Sequence, residues 1–406
     1  MNKKLMAVAV AGALAAPAAA FAQASNVQIY GRAHLGIDNY QATGATAGSA
    51  ADFRARNRVY DQGSRLGFTG KESLGNGMRA IFLMESGVNI DTGTTVGQNQ
   101  AAISPATGNS NRDAGTLSSR VGYVGLEGDS WGQLTFGKNN VWWGSSTIDQ
   151  FGANYVNVSP QFTSGIFGRG MSVGVSRVSN VMQYATPTWN GMNAVLSYSP
   201  SNALGQGQES SVAGANVNGK LYGFTVDGAF GPIKAGWDWT RNYANTSTVT
   251  GTQAYTTGNK ARVGWTYAPG GQVMLVWVGS KVQDTGGIGG AAVADPAASS
   301  LQQSGIMIGV EHMIGNIQLL AQLGKVGNIS GCSTASLCLN TNASTTLLAG
   351  RYLLSKRTAA YVSYNSIRND TAYNLDFAGA AMGAVSGAIS NGSDPRIWAF
   401  GILHNF

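Results

Sequence analysis

Apolar and polar positions alternate with a period of two through much of this 406-residue chain. In Lys260–Ala268, Ala261, Val263, Trp265 and Tyr267 share one face, while Lys260, Arg262, Gly264 and Thr266 share the other. Ile233–Thr240 repeats the pattern, with Ile233, Ala235, Trp237 and Trp239 set against Lys234, Gly236, Asp238 and Thr240. So does Ile317–Gly324, where Ile317, Leu319, Ala321 and Leu323 oppose Gln318, Leu320, Gln322 and Gly324. Helical spacing would scatter these sets around a cylinder, whereas strand spacing sorts them onto two faces.

The alternation predicts sixteen strands, near 27–40, 58–71, 78–88, 119–127, 132–138, 179–186, 192–199, 219–229, 233–241, 260–268, 272–281, 304–313, 316–325, 346–354, 358–367 and 397–406. Connections after even-numbered strands are short, such as Phe230-Gly231-Pro232, Pro269-Gly270-Gly271 and Ile314-Gly315. Those after odd-numbered strands are long, the longest running over 139–178. One rim of tight turns and one of long loops is the layout of a closed transmembrane β-barrel, and an even strand count puts both ends at the short-turn, periplasmic rim. Backbone exposed to lipid must be fully hydrogen-bonded, so the last strand has to pair with the first. A sixteen-stranded barrel leaves an aqueous channel, whereas eight strands would be filled by side chains. Tyr30, Trp131, Trp189, Tyr198, Tyr267 and Trp398, near strand ends, suit the interfacial aromatic girdles.

Composition agrees with this frame. Charged residues make up 11% of the chain, against about 25% in an ordinary soluble domain. Beyond the first residues no stretch reaches the ~18–20 apolar positions of a spanning helix, Val273–Val278 being strand-sized. Residues 1–22 read as an export signal: Lys3 and Lys4, the apolar Leu5–Ala16, then Ala20-Phe21-Ala22, with cleavage expected between Ala22 and Gln23. The barrel domain would then be 23–406. The net charge of +7 is spread singly along the strands with no basic run, which argues against a nucleic-acid partner. Cys332 and Cys338 are the two cysteines, and in an exported chain they read as a small disulfide loop. No histidine or further cysteine lies near enough to complete a zinc site.

Several segments, in order, resemble the general bacterial porins of Gram-negative outer membranes, and in particular their anion-preferring branch. They are Val27-Gln28-Ile29-Tyr30-Gly31-Arg32, Ser64-Arg65-Leu66-Gly67-Phe68-Thr69-Gly70, Arg79–Gly87, Arg120–Leu126, Leu134-Thr135-Phe136-Gly137-Lys138, Leu354-Ser355-Lys356-Arg357-Thr358 and the ending His404-Asn405-Phe406. The resemblance implies an all-β fold, a 16-stranded antiparallel barrel with its third loop folded inward. It also implies a homotrimer among outer-membrane lipid and lipopolysaccharide, passing small hydrophilic solutes and anions by passive diffusion. The terminal Phe406 would be read by the barrel-assembly machinery.

Strand parity supplies a basic wall for the channel. With Ala33, Leu35 and Ile37 outward, Arg32, His34 and Asp38 face in; with Leu66 and Phe68 outward, Arg65 faces in. Ala80, Phe82 and Met84 outward turn Arg79 and Glu85 inward, and Arg120 is placed with them by setting Val121 and Tyr123 outward. Arg32, Arg65 and Arg120 also match basic positions of the porin constriction. On the third loop the resemblance places Asp149, Gln150, Phe151 and Gly152 at the narrowing, with Asp149 the one carboxylate in Ile148–Asn154. Many relatives carry two acidic residues there, so a modest anion preference is expected. A substrate-specific channel on the same scaffold, or an outer-membrane adhesin or enzyme acting through its loops, are the alternatives. Gly128-Asp129-Ser130-Trp131-Gly132 has the form of a nucleophile elbow, but such an elbow needs a strand followed by a helix, and strands are expected on both sides. No cofactor, metal or catalytic residue is expected.

Overall fold

The computed structural model describes residues 26–61, 63–91, 117–141, 177–200, 220–243, 255–283, 295, 297–377 and 389–406. Seventeen strand segments form one antiparallel sheet: β1 (Asn26–Thr43), β2 (Phe53–Asp61), β3 (Arg65–Gly75), β4 (Met78–Gly87), β5 (Val121–Gly128), β6 (Gly132–Asn140), β7 (Arg177–Ala185), β8 (Met192–Ser199) and β9 (Lys220–Phe230). The second half comprises β10 (Ile233–Tyr243), β11 (Tyr255–Ala268), β12 (Gly271–Gln283), β13 (Ser300–Ile314), β14 (Ile317–Val326), β15 (Ala343–Leu353), β16 (Thr358–Asn369) and β17 (Asp394–Asn405). Both β2 and β3 pair with β1, through Leu35↔Asp61 and Arg32↔Arg65, so they are two arms of one crossing. Sixteen crossings result. The alternation predicts this crossing from residue 58; the structure extends it back to Phe53, through Arg54 and Arg56.

The sheet closes on itself. β17 pairs with β1 over twelve residue pairs, from Arg32↔Asn405 to Thr43↔Asp394. Phe406 extends the seam, its N–H donating to Gly31 O at 3.1 Å and its carbonyl accepting from Gly31 N at 3.0 Å. Glycine is needed at this seam: the Tyr361 ring lies across it, and a Cβ on Gly36 would come within 2.9 Å of Tyr361 Oη. An inward aromatic laid over strand glycines fills their missing side chains and steadies the register.

Each strand sorts its side chains between two media. Val124 (62% exposed), Trp398 and Phe400 point away from the barrel axis, while Asp38, Asp238, Lys260 and Asn365 point inward and are buried. The alternation exists because one face meets lipid and the other water. Among the described residues no helix is long and apolar enough to cross a membrane, and the crossing is made by strands.

The inner face is not uniformly polar. On the side of β12–β17 and β1 it carries a buried apolar cluster including Met274, Val278, Met307, Leu347, Ile397 and Tyr40. Toward the long-connection end, residues following β16 fold onto this cluster. Tyr373 Oη donates to Gln303 Oε1 of β13 at 3.0 Å, and Tyr40 Oη of β1 donates to Asp376 Oδ1 at 3.2 Å. β13 and β1 are five steps apart in the sheet order, about 24 Å along the wall at ~4.8 Å per strand. A segment of four residues tied to both must run across the inside of the barrel mouth. Leu375 and Phe377 are buried with it, and the Phe377 ring meets Tyr40 edge-on at 6.4 Å. The expected inward fold of the third loop falls in 142–176, outside the described residues, as do residues 1–22 and the Ala22–Gln23 junction.

Candidate channel lining

Glu85 on β4 is the centre of the inward-facing charge cluster. Arg120 Nε donates to its Oε1 at 2.6 Å, Tyr30 Oη of β1 donates to Oε2 at 3.1 Å, and Arg65 Nε of β3 lies 3.5 Å from Oε2. Arg32 stands in register with Arg65 on the neighbouring strand and donates from Nε to Asn405 Oδ1 at 3.1 Å. Arg177, at the start of β7, lies within electrostatic reach of Arg65, Glu85 and Arg120. Arg65 and Arg120 thus share one carboxylate, with Arg177 within electrostatic reach and Arg32 beside Arg65 in the sheet.

The route by which Arg120 arrives differs from the expectation. Val124 and Leu126 are the outward residues of β5, whereas Val121 is buried in register with the inward Glu85. Strand parity therefore does not place Arg120, which precedes β5. It is placed by a turn in which Ser118 has φ 71° and donates its N–H to Ser86 Oγ at 2.8 Å. Arg120 N–H then donates to Glu85 O at 2.9 Å, which swings the guanidinium over the same residue's carboxylate.

Arg79 is not in this cluster. It faces inward as expected, but it sits six residues along β4 from Glu85, about 20 Å at ~3.4 Å per residue. There it pairs with Glu127 at 2.5 Å and Asp129 at 2.6 Å beside the short turns, and Lys71 shares Glu127 at 2.8 Å. Asp149, Gln150, Phe151 and Gly152 lie outside the described residues. Sequence reasoning missed Arg177, which it left at the end of a long connection where parity has no meaning, and Tyr30, which it counted only as an interfacial ring.

On the wall formed by β9–β11 two inward cations are paired with two carboxylates. Arg262 pairs with both Asp238 and Asp227, Lys260 lies 3.5 Å from Asp238, and Thr225 donates to Asp238 at 2.5 Å. Nearer the mouth Arg58 grips Asp38 with two bonds of 2.9 and 2.8 Å.

The remaining sequence motifs resolve simply. Gly128–Gly132 is a hairpin turn between β5 and β6, with Gly132 at φ 94° and no helix following, so Ser130 has none of the geometry of a nucleophile elbow. Cys332 and Cys338 are joined as a disulfide with their Cα atoms 5.9 Å apart, Cys338 being the last residue of a one-turn helix at Ala335–Cys338. No group of three or more His, Cys, Asp or Glu side chains among the described residues could hold a metal ion.

Comparison with known proteins agrees with this architecture. A family model described as Gram-negative porin matches residues 7–372. An outer membrane porin protein of Bordetella pertussis is 31% identical over 214 residues, which cover 49% of this chain and 48% of that protein. The major outer membrane protein P.IB of Neisseria gonorrhoeae is 28% identical over 217 residues, 53% of each chain. The chain thus spans about half the length of the curated relatives it matches. Among solved structures, an anion-selective porin from Comamonas acidovorans superposes with a TM-score of 0.70 at 19% identity, covering 94% of this chain and 100% of that one. OmpF of Salmonella typhi superposes with a TM-score of 0.59 at 16% identity, over 94% and 98%. At these identities the structural matches speak for the fold.

Proposed function

The chain belongs to the Gram-negative porin family, and from that premise we propose that it is an outer-membrane general diffusion porin with a modest anion preference. The observation that carries this reading is the cluster on the inside of a closed wall in which Arg65 and Arg120 share the Glu85 carboxylate, with Arg177 within electrostatic reach and Arg32 beside Arg65 in the sheet. Passage needs no reaction step. A hydrated solute crosses a water-filled lumen, and fixed positive charge lowers the energy of an anion in the neck while raising that of a cation. Glu85, itself held by the Tyr30 hydroxyl, orients Arg120 and attracts Arg65, while Asn405 orients Arg32. The balanced pairs on β9–β11 add little net field of their own.

The rest of the reading follows from the family. Asp149–Gly152 would approach the arginines from the third loop, three chains would associate as a homotrimer, and the assembly machinery would recognise the strand that ends in Phe406. Cleavage after Ala22 would release the signal. Proteoliposome swelling tests the proposal: small neutral sugars should enter freely, with rates falling smoothly as solute size increases. Uptake of a single solute class with saturation would instead support the substrate-specific alternative, and absence of any uptake would remove the channel reading.

A further inference from the structure

On the outer wall, away from the channel, the loop-side ends of β9–β12 carry cations that serve nothing inside the barrel. Outward positions on these strands are identified by the exposed Tyr222, Trp237, Val263, Leu275 and Trp277. Two residues from Tyr222, four from Trp237 and four from Trp277, toward the long connections, parity turns Lys220, Arg241 and Lys281 to the same outer face. The register aligns them in two adjoining rows: Tyr222–Arg241–Thr257–Lys281 and Lys220–Tyr243–Tyr255–Gln283.

These side chains are held. Arg241 Nε donates to Thr257 Oγ1 at 3.1 Å, and its guanidinium lies 4.7 Å from the Tyr255 ring centre and 5.6 Å from that of Trp239. Lys220 Nζ sits 5.2 Å over the Tyr243 ring. The rings themselves form a ladder, Tyr198–Tyr222 at 5.3 Å, Tyr222–Tyr243 at 6.3 Å and Tyr243–Tyr255 at 5.7 Å. A cation over an aromatic face keeps its outer hydrogen-bond donors available.

Among the described residues, their setting differs from that of the paired cations of the lumen. Arg58, Arg65, Arg120, Lys260 and Arg262 each face a carboxylate, whereas no described carboxylate pairs with Lys220, Arg241 or Lys281. Height in the membrane supplies the last constraint. From Tyr267, at the short-turn end of β11, to Thr257 is ten residues, about 34 Å along the strand and roughly 26 Å along the membrane normal at a ~40° tilt. That is the height of the apolar band, so the cationic rows lie where lipid headgroups begin on the loop side.

We propose that Lys220, Arg241 and Lys281, set on the Tyr222–Tyr243–Tyr255 ladder, form a binding site for the phosphate groups of an outer-leaflet lipid. The inference rests on the outer-membrane reading of the barrel but not on its selectivity. Phosphate matches this chemistry because it offers several anionic acceptors to fixed donors, and the tyrosine rings cover the glycerol or sugar portion beneath. The site lies outside the channel, so its loss should leave conductance unchanged.

The test uses the full folded chain in neutral detergent and native mass spectrometry with a bis-phosphorylated acylated glucosamine disaccharide, beside the same lipid after phosphatase treatment. Combined K220Q, R241Q and K281Q should lower retention of the phosphorylated lipid at least tenfold and leave the dephosphorylated lipid unaffected. R396Q, an outward cation of β17, should change nothing. Should the triple variant not fold, as read by its gel mobility before and after heating, at least two of the single variants should each weaken binding threefold or more. Equal binding by wild type and triple variant, or equal retention of both lipids by the wild type, would overturn the proposal. Full competition by millimolar inorganic phosphate would also overturn it, by showing a free-anion site. A protein that binds the lipid but conducts nothing would count against the channel reading alone.

Discussion

Replacing Arg65 by glutamine removes one guanidinium from the lumen cluster without stranding its carboxylate. Glu85 keeps Arg120 at 2.6 Å and Tyr30 at 3.1 Å, whereas Arg65 stands off at 3.5 Å. Arg65 is also better placed to act on solutes, its side chain being 22% exposed against 7% for Arg120. For an ion passing about 6 Å away in water-like surroundings, one unit charge contributes about 0.7 kcal/mol before screening, and about 0.3 kcal/mol with a Debye length of ~8 Å at 0.15 M salt. Anions lose this attraction and cations lose the matching repulsion, so the anion-to-cation permeability ratio should fall by a factor of about three. At 0.01 M salt, where the Debye length is ~30 Å, the same change should reach about sevenfold. Reversal potentials across a bilayer separating two salt concentrations measure the ratio directly. A shift below about 1.5-fold, a shift toward anions, or an effect that fails to grow as salt is diluted would refute the electrostatic argument.

Further expectations follow from other parts of the barrel. Glu85→Gln should act in the opposite direction to Arg65→Gln, raising anion preference in the same reversal-potential assay; a loss of anion preference would contradict the orientation given to the cluster. Shortening the β16–β17 connection by removing 371–391 should raise single-channel conductance, since Tyr373 and Asp376 draw that segment across the mouth; unchanged conductance would mean the segment obstructs nothing. Reducing the Cys332–Cys338 disulfide should accelerate amide exchange at Ile329 and Thr341 while sparing the strands, because a crosslink this local constrains its own connection. Hydrogen bonds from the Ser333 hydroxyl and N–H hold the Asp295 carboxyl below its usual value. The depressed folded value means this contact stabilises the fold above the usual aspartate range and is lost as pH falls through the folded value. Protection of the Ser333 amide should therefore persist through mildly acidic pH and disappear only in stronger acid; loss near neutrality would contradict it.

The barrel was legible because its physics is written residue by residue. A strand dividing lipid from water must alternate, and strands such as β10, β11 and β14 do so over most of their length. The short turns were equally plain, since Gly231, Gly270 and Gly315 supply the positive φ that tight hairpins need. Legibility failed where a side chain is placed by something other than parity. Arg120 reaches the lumen through a turn before its strand, and Arg79 stands far from Glu85 because parity fixes the face of a side chain but not its height. The inward apolar residues Met274, Val276 and Val278 make β12 apolar on both faces. Alternation cannot report such a wall, which became visible only once Tyr373, Leu375 and Phe377 were seen to fold toward that side. The lipid-facing cations were visible as residues, but their alignment in rows depends on register between four strands, which no single-strand pattern contains.

Single-channel recording of the purified chain in a planar bilayer is the most direct test of the central claim, that a closed barrel encloses water beside an arginine-rich lining. Stepwise openings, a conductance rising with bulk salt, and a reversal potential on the anion side are the predicted result. Absence of discrete openings from correctly folded protein, or a reversal potential on the cation side, would contradict the account.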